Sequence, residues 1–155
     1  SRAMRMVDVV VLEEEDANAI SGEKVLTQSI SSIISGESLH GGTAAGPGPR
    51  SIIVKRGSSG ILAYLPCGTI ALPSYPMENP IDPTGHGDTF VGALFSSLVG
   101  HDGSLNDTEV MRKAMVHATV TSSYCAEGIG TKGIRSLGRG KYHARADRYR
   151  RIVGI

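Results

Sequence analysis

Short continuous apolar runs and stretches of helical spacing succeed one another along the chain, and their order predicts strand, helices, three strands, then helices. Residues 7–12, Val-Asp-Val-Val-Val-Leu, form a β-branched run suited to a strand buried on both faces of a parallel sheet. Glu13, Glu14, Glu15 and Asp16 follow it. Acids there suit the first turn of a helix through residues 17–20, because the helix dipole favours negative charge at that end. A second helix is predicted over 23–34, with Val25, Leu26, Ile30, Ile33 and Ile34 on one face.

Residues 36–50 are rich in glycine and include Pro47 and Pro49, so they read as an exposed, flexible connection. Apolar runs at 51–55, 60–65 and 69–72 predict three strands, joined by turns at 56–60 and 66–68. Residues 73–87 hold four prolines and two glycines. A helical pattern then begins near Thr89 with Phe90, Val91, Ala93, Leu94 and Leu98, and Gly100 closes it. Asn106-Asp107-Thr108 can cap a further helix running to about residue 126, with Val110, Met111, Ala114, Met115 and Ala118 at helical spacing. Residues 128–133 interrupt it, and a basic helix over 142–153 follows. This order points to an α/β layered fold in which the first strand has no obvious parallel neighbour.

Composition narrows the class. Of 155 residues, 40% are apolar and 20% charged, with net charge +1, as in one globular domain over residues 1–155. No run approaches the roughly 18 apolar residues that cross a bilayer, and Ser1-Arg2-Ala3-Met4 lacks a signal's apolar core, so the expected location is cytoplasmic, without a membrane partner. Cys67 and Cys125 have no CxxC or CxxH partner and read as reduced core thiols. Glycine, at 20 residues, is about twice its ordinary ~7% share, which directs attention to tight turns. Residues 132–151 hold eight lysines and arginines against Asp147 alone, a solvated helix face or a phosphate-backbone contact.

The stretch with most chemical content is residues 81–90, Ile-Asp-Pro-Thr-Gly-His-Gly-Asp-Thr-Phe, a glycine turn leading into a helix. A helix start presents unpaired N–H groups and a partial positive charge, and Gly85 and Gly87 let an anion approach them. Asp88 is either a helix cap or a carboxylate facing whatever those amides hold.

Residues 82–90 closely resemble the signature of the ribokinase-like (PfkB) carbohydrate kinases, in which Ala commonly occupies the position of His86. Residues 52–60 resemble the strand and glycine turn that precede that signature, and 117–133 its nucleotide-side helix and loop. The resemblance implies a three-layer α/β ribokinase-like (Rossmann-like) fold, of which this chain is similar to the C-terminal portion only. Kinases of that family are roughly twice as long, and their sugar-contacting residues and lid come mainly from the other half. The resemblance further implies ATP-dependent phosphorylation of a sugar or nucleoside hydroxyl. Asp88 is then the general base, and the amides of Gly85, His86, Gly87 and Asp88 form the anion hole. Lys55, Arg56, Gly57, Thr121 and Ser122 are the implied nucleotide contacts. Where relatives often carry Asn-x-x-Glu, Glu13 and Asp16 are the candidates for holding Mg²⁺ through water. Asp82 and Thr84 are the candidates for a monovalent cation such as K⁺. Thr131, Lys132 and Gly133 either close over the nucleotide or end a helix. A second copy of the chain is a further candidate partner.

Two rivals come from other classes. One is a noncatalytic module of the same fold that holds nucleotide or protein; the other is a nucleic-acid binder working through the basic run, whose affinity would fall steeply with salt. GxxxxGK[ST], GxSxG and HExxH are absent from the sequence, and Gly85-x-Gly87 is followed by Phe90 where a GxGxxG turn would need its third glycine.

Overall fold

A parallel pair begins the fold. In the computed structural model, which describes residues 2–102 and 104–155, β1 (Val9–Glu13) lies beside β2 (Ser51–Lys55), with Val9 opposite Ser51 and Glu13 opposite Lys55. The first strand therefore has the parallel neighbour that its sequence context did not reveal. Parallel pairing needs a crossover of a dozen or more residues, and α1 (Glu14–Ser21), α2 (Leu26–Ser35) and the segment 36–50 supply it. β2 pairs antiparallel with β3 (Ile61–Leu65), and β4 (Gly68–Leu72) completes the order β1-β2-β3-β4. β1 is an edge strand and only half-buried, contrary to the expected burial on both faces; that environment belongs to β2, whose Ser51, Ile52, Ile53 and Val54 are all buried.

The sheet, α1 and α2 belong to the first of two compact units, Ser1–Ala71; the second is Leu72–Ile155. In the first, Leu26, Ile30 and Ile33 recur at i, i+4 and i+7 on α2 and pack with Ala17 of α1 against Ile52 and Val54 of β2. Burying each of the isoleucines stabilises the unit by about 1.5–3 kcal/mol relative to exposure. Within 36–50 most residues are exposed, yet Leu39 and Pro49 are buried. The Arg5 guanidinium donates to the carbonyls of Gly36 (3.0 Å), Gly42 (2.8 Å) and Gly46, gathering three backbone acceptors of this segment.

In the second unit, α3 (His86–Leu98) and α6 (Arg139–Val153) both pack on α4 (Thr108–Cys125). Asp107 caps α4 as expected, accepting from the amides of Glu109 (2.9 Å) and Val110 (3.1 Å). Thr119, Ser122 and Ser123 are buried in α4 because their hydroxyls donate back to the carbonyls of Met115, Thr119 and Val120. Short α5 (Lys132–Arg135) lies before α6, which starts three residues earlier than the basic pattern suggested. Cys125 is buried as expected, whereas Cys67, on the β3–β4 turn, is only half-buried; neither forms a disulfide among the described residues. Among the described residues no helix is long and apolar enough to cross a membrane.

Buried groups join α6 to its surroundings. His117 Nδ1 lies 2.6 Å from the Tyr142 hydroxyl, and burial holds the imidazole below its ordinary pKa. Tyr149 is fully buried and donates its hydroxyl to the Pro73 carbonyl. Burial pushes its phenol up to about 12, partly opposed by a hydrogen bond with Thr119. A phenol raised in the folded state contributes stability that is complete below the unfolded value of about 10 and is lost as pH rises through the folded value. The melting temperature is therefore expected to fall between about pH 10 and 12, and Tyr149→Phe to fall less steeply over that window when both are followed by circular dichroism.

Candidate active site

The glycine turn of residues 82–88 ends in an abrupt helix start. α3 begins at His86, not near Thr89, and Gly85 is its N-cap with φ +78° and no side-chain cap bond. The apolar periodicity becomes visible only from Phe90, so it misses the first turn, which the left-handed glycine sets. His86 occupies ordinary helical backbone, since no non-glycine among the described residues has positive φ. A histidine where alanine is common therefore adds no backbone strain.

Asp88 stands at the third helical position, exposed, with no hydrogen bond or ion pair to another described residue. It is not the cap, so the structural role that ordinarily accounts for an aspartate at a helix start does not apply. The His86 amide donates to the Pro83 carbonyl (3.0 Å) and the Thr89 amide to the Gly85 carbonyl (2.9 Å). By helix geometry the amides of Gly87 and Asp88, between them, have no partner within the helix. A pair of N–H groups at the positive end of α3 and an open carboxylate thus share one turn. That arrangement can hold an anion and accept a proton side by side.

The turn is fastened to the C-terminal end of α4. The amides of Ile81 (2.7 Å) and Asp82 (3.1 Å) both donate to the Ala126 carbonyl, and Cys125 Sγ lies 3.5 Å from the Thr84 carbonyl. Thr84's side chain and its amide (2.9 Å to Oδ1), with the Gly130 amide, hold the Asp82 carboxyl below the usual carboxylate range. Cys125, Ala126 and Gly130 were missed as site residues because nothing local to 125–130 marks them; only folding brings them beside residues some forty positions away.

The other candidates lie on α4, just beyond it, and in the first unit. Ser122 is buried with its hydroxyl on the Thr119 carbonyl (3.1 Å), and the Thr121 hydroxyl is buried with no partner among the described residues. In the first unit, Lys55 forms an ion pair with Glu13, and Arg56 with Glu14 at 3.0 Å, so residues read as phosphate ligands and a residue read as a magnesium ligand satisfy one another. Gly57 opens a 3₁₀ turn, Gly57–Ser59, at φ +54°. Asp16 lies exposed in the first turn of α1. Thr131 caps α5, and a Cβ on Gly133 would stand 1.9 Å from the Tyr124 carbonyl, so this stretch is a close-packed helix junction. Three cavities of the second unit, of about 510, 370 and 370 Å³, share Glu127 in their walls, and Asp88 lines none of them. Among the described residues no three His, Cys, Asp or Glu side chains gather as a metal site.

Comparison with known proteins gives a family and a fold. The sequence profile described as "pfkB family carbohydrate kinase" matches residues 1–129. No curated protein sequence matches the chain. Among solved structures, a fructokinase from Vibrio cholerae O395, bound to fructose, ADP and calcium, superposes with TM-score 0.74 at 21% identity, over 94% of this chain and 42% of its own. An aminoimidazole riboside kinase from Salmonella enterica, complexed with aminoimidazole riboside and an ATP analogue, gives 0.69 at 18%, over 93% and 43%. A protein from E. coli assigned as ribokinase II, with ATP and Mg²⁺, gives 0.69 at 21%, over 95% and 41%. The fold is thus mixed α/β of the ribokinase-like kind, and the chain spans about two fifths of the length of these structures.

The turn makes opposite demands on two glycines of α3 and its cap. A Cβ at Gly85 meets nothing closer than Cys125 Sγ at 3.7 Å, so the obstacle there is the left-handed backbone, which costs an alanine about 1–2 kcal/mol. Gly92 lies in the helix interior with nothing near its Cβ position. Gly85→Ala is expected to destabilise by about 1–2 kcal/mol and Gly92→Ala to stabilise by about 0.5–1 kcal/mol, read as opposite shifts of the urea midpoint.

Proposed function

The chain belongs to the pfkB family of carbohydrate kinases, and from that membership we propose that it is the nucleotide-binding, base-bearing C-terminal half of an enzyme that phosphorylates a sugar or nucleoside hydroxyl with ATP. The observation that carries this reading is the exposed, unpartnered Asp88 carboxylate beside the Gly87 and Asp88 amides on the first turn of α3. Phosphoryl transfer asks for in-line placement of two oxygens and for fixed dipoles aimed at the charge that develops, more than for covalent participation. Both requirements can be met on one rigid helix start.

In this mechanism Asp88 accepts the proton of the acceptor hydroxyl as its oxygen bonds to the γ-phosphorus, while the bond from that phosphorus to the bridging oxygen of ADP breaks. The amides of Gly87 and Asp88, with that of Gly85, face the charge on the phosphoryl oxygens, whereas the His86 amide, expected in the same anion hole, is already given to the Pro83 carbonyl (3.0 Å). The left-handed Gly85 keeps this turn open, because the helix starts directly at the ligand with no side chain at the cap. Lys55, Arg56 and Gly57, at the end of β2, are the proposed phosphate-side contacts, and Thr121, with its unsatisfied hydroxyl, and Ser122 the proposed adenine-side residues. A nucleotide would have to draw Lys55 and Arg56 from Glu13 and Glu14. Such partly exposed pairs are worth only about 0–1 kcal/mol each, so the exchange is cheap.

Mg²⁺, when bound with the nucleotide, neutralises charge between its phosphates and keeps much of its own water. Asp16, exposed and without an ion pair among the described residues, suits a contact through such a water; Glu13 would first have to release Lys55. The Asp82 carboxyl, held ionised by Thr84 and Gly130, is the proposed contact for a monovalent cation beside the turn. A cytoplasmic setting accords with two cysteines that form no disulfide among the described residues.

A screen of sugars and nucleosides with ATP on the complete kinase is expected to find an acceptor. Asp88→Asn should then keep ATP affinity within about threefold and lower turnover by at least about a hundredfold, the ordinary contribution of a general base. Near-normal turnover in the variant removes the base assignment; nucleotide binding without transfer to any acceptor indicates a noncatalytic module.

A further inference from the structure

Arg145 belongs to the basic segment that the kinase reading leaves unused, yet it does not behave like its neighbours. Its side chain is 16% exposed, whereas that of Arg148, one turn on, is 57% exposed and stands 3.9 Å from Glu78. The Arg145 Nη2 donates to both carboxylate oxygens of Glu127, at 2.7 and 2.9 Å, and Nη1 to the Ser123 hydroxyl at 2.9 Å. Its guanidinium carbon sits 3.6 Å from the centre of the Tyr124 ring and 4.9 Å from that of Tyr75. Planar, many-donor and cation–π contacts together are what a guanidinium provides and an ammonium does not.

What this clamp grips lies directly behind the functional turn. Glu127 follows Ala126, whose carbonyl receives the amides of Ile81 and Asp82, and Gly130, three residues on, contributes to keeping the Asp82 carboxyl below the usual carboxylate range. The short stretch 126–130 therefore has Arg145 on one side and the start of the signature on the other. We propose that Arg145, through Glu127, is a positioning residue for the 82–88 turn, fixing the segment that leads into the helix start from which the Gly87 and Asp88 amides and the Asp88 carboxylate project. The proposal rests on the kinase reading for its consequence in catalysis, but the tether itself does not.

The test uses Arg145→Gln, Arg145→Lys, Glu127→Gln and the double variant Arg145→Gln/Glu127→Gln, with hydrogen exchange followed residue by residue on the chain. Exchange at the Ile81 and Asp82 amides is expected to quicken roughly tenfold in either neutral single variant, less in Arg145→Lys, and no further in the double variant, since the two residues act as one unit. The buried amides of Leu94 in α3 and Met115 in α4 should keep their wild-type rates. Unchanged exchange at Ile81 and Asp82, or an increase shared by Leu94 and Met115, overturns the tether. Where Arg145→Gln does not fold, Glu127→Gln, which leaves the cation on its two tyrosines, decides alone. In the complete kinase the same variants should lower kcat about tenfold with the KM for ATP within about threefold, because a displaced turn loses contacts made in the transition state. Loosened amides with unaltered kcat overturn the positioning role, whereas loosened amides in a protein that transfers no phosphate leave the tether standing and remove the kinase reading.

Discussion

The left-handed backbone at Gly85 is the constraint on which the rest of the site depends. An L residue with a side chain pays about 1–2 kcal/mol to adopt it, and without it the chain cannot pass from the 81–84 segment directly into a helix. Because the passage is immediate, the first helical turn begins at His86 and carries Gly87 and Asp88 at the positions whose amides face out of the helix end. Placing Asp88 in that turn, and not at the cap, is what leaves its carboxylate without a structural task.

Holding such a turn steady requires a platform that does not itself move with solvent. The last turn of α4 and the residues just beyond it provide one: Tyr124 and Cys125 are buried, the Ala126 carbonyl takes two amides from the turn, and Gly133 closes against Tyr124 too tightly for any side chain. Serines and a threonine inside α4 satisfy themselves on their own helix, so the platform is packed without leaving most of its hydroxyls unpaired. A wall of this kind keeps the backbone groups that it bonds in fixed places.

Charge in this protein is arranged more economically than a reading of the chain suggests. Glu13 and Lys55 occupy partner positions in the parallel β1–β2 register, and Glu14 and Arg56 follow them, so acids and cations some forty residues apart neutralise one another at the end of the sheet. In the terminal basic segment the residues divide: Arg148, Arg150 and Arg151 are exposed, while Arg145 is enclosed by two tyrosines and a carboxylate. A run of like charges along a helix is a single feature in the sequence and several different ones once the helix has a packed side.

Local chemistry made much of this legible from the amino acids alone. The strand at 51–55, the helix capped by Asp107 and the glycine turn that leads into a helix at 82–88 follow from β-branched runs, a capping oxygen and glycines before an apolar period, all of which act within a few residues. Tertiary structure decided the remainder, because it depended on groups distant in the chain. The parallel partner of β1, the pairing of Glu13 with Lys55, the fastening of the Ile81 and Asp82 amides to the Ala126 carbonyl and the pairing of Arg145 with Glu127 have no short-range signature. Periodicity also placed the start of α3 three residues late, since it registers buried side chains, whereas the helix start is set by the torsion of a residue that has none.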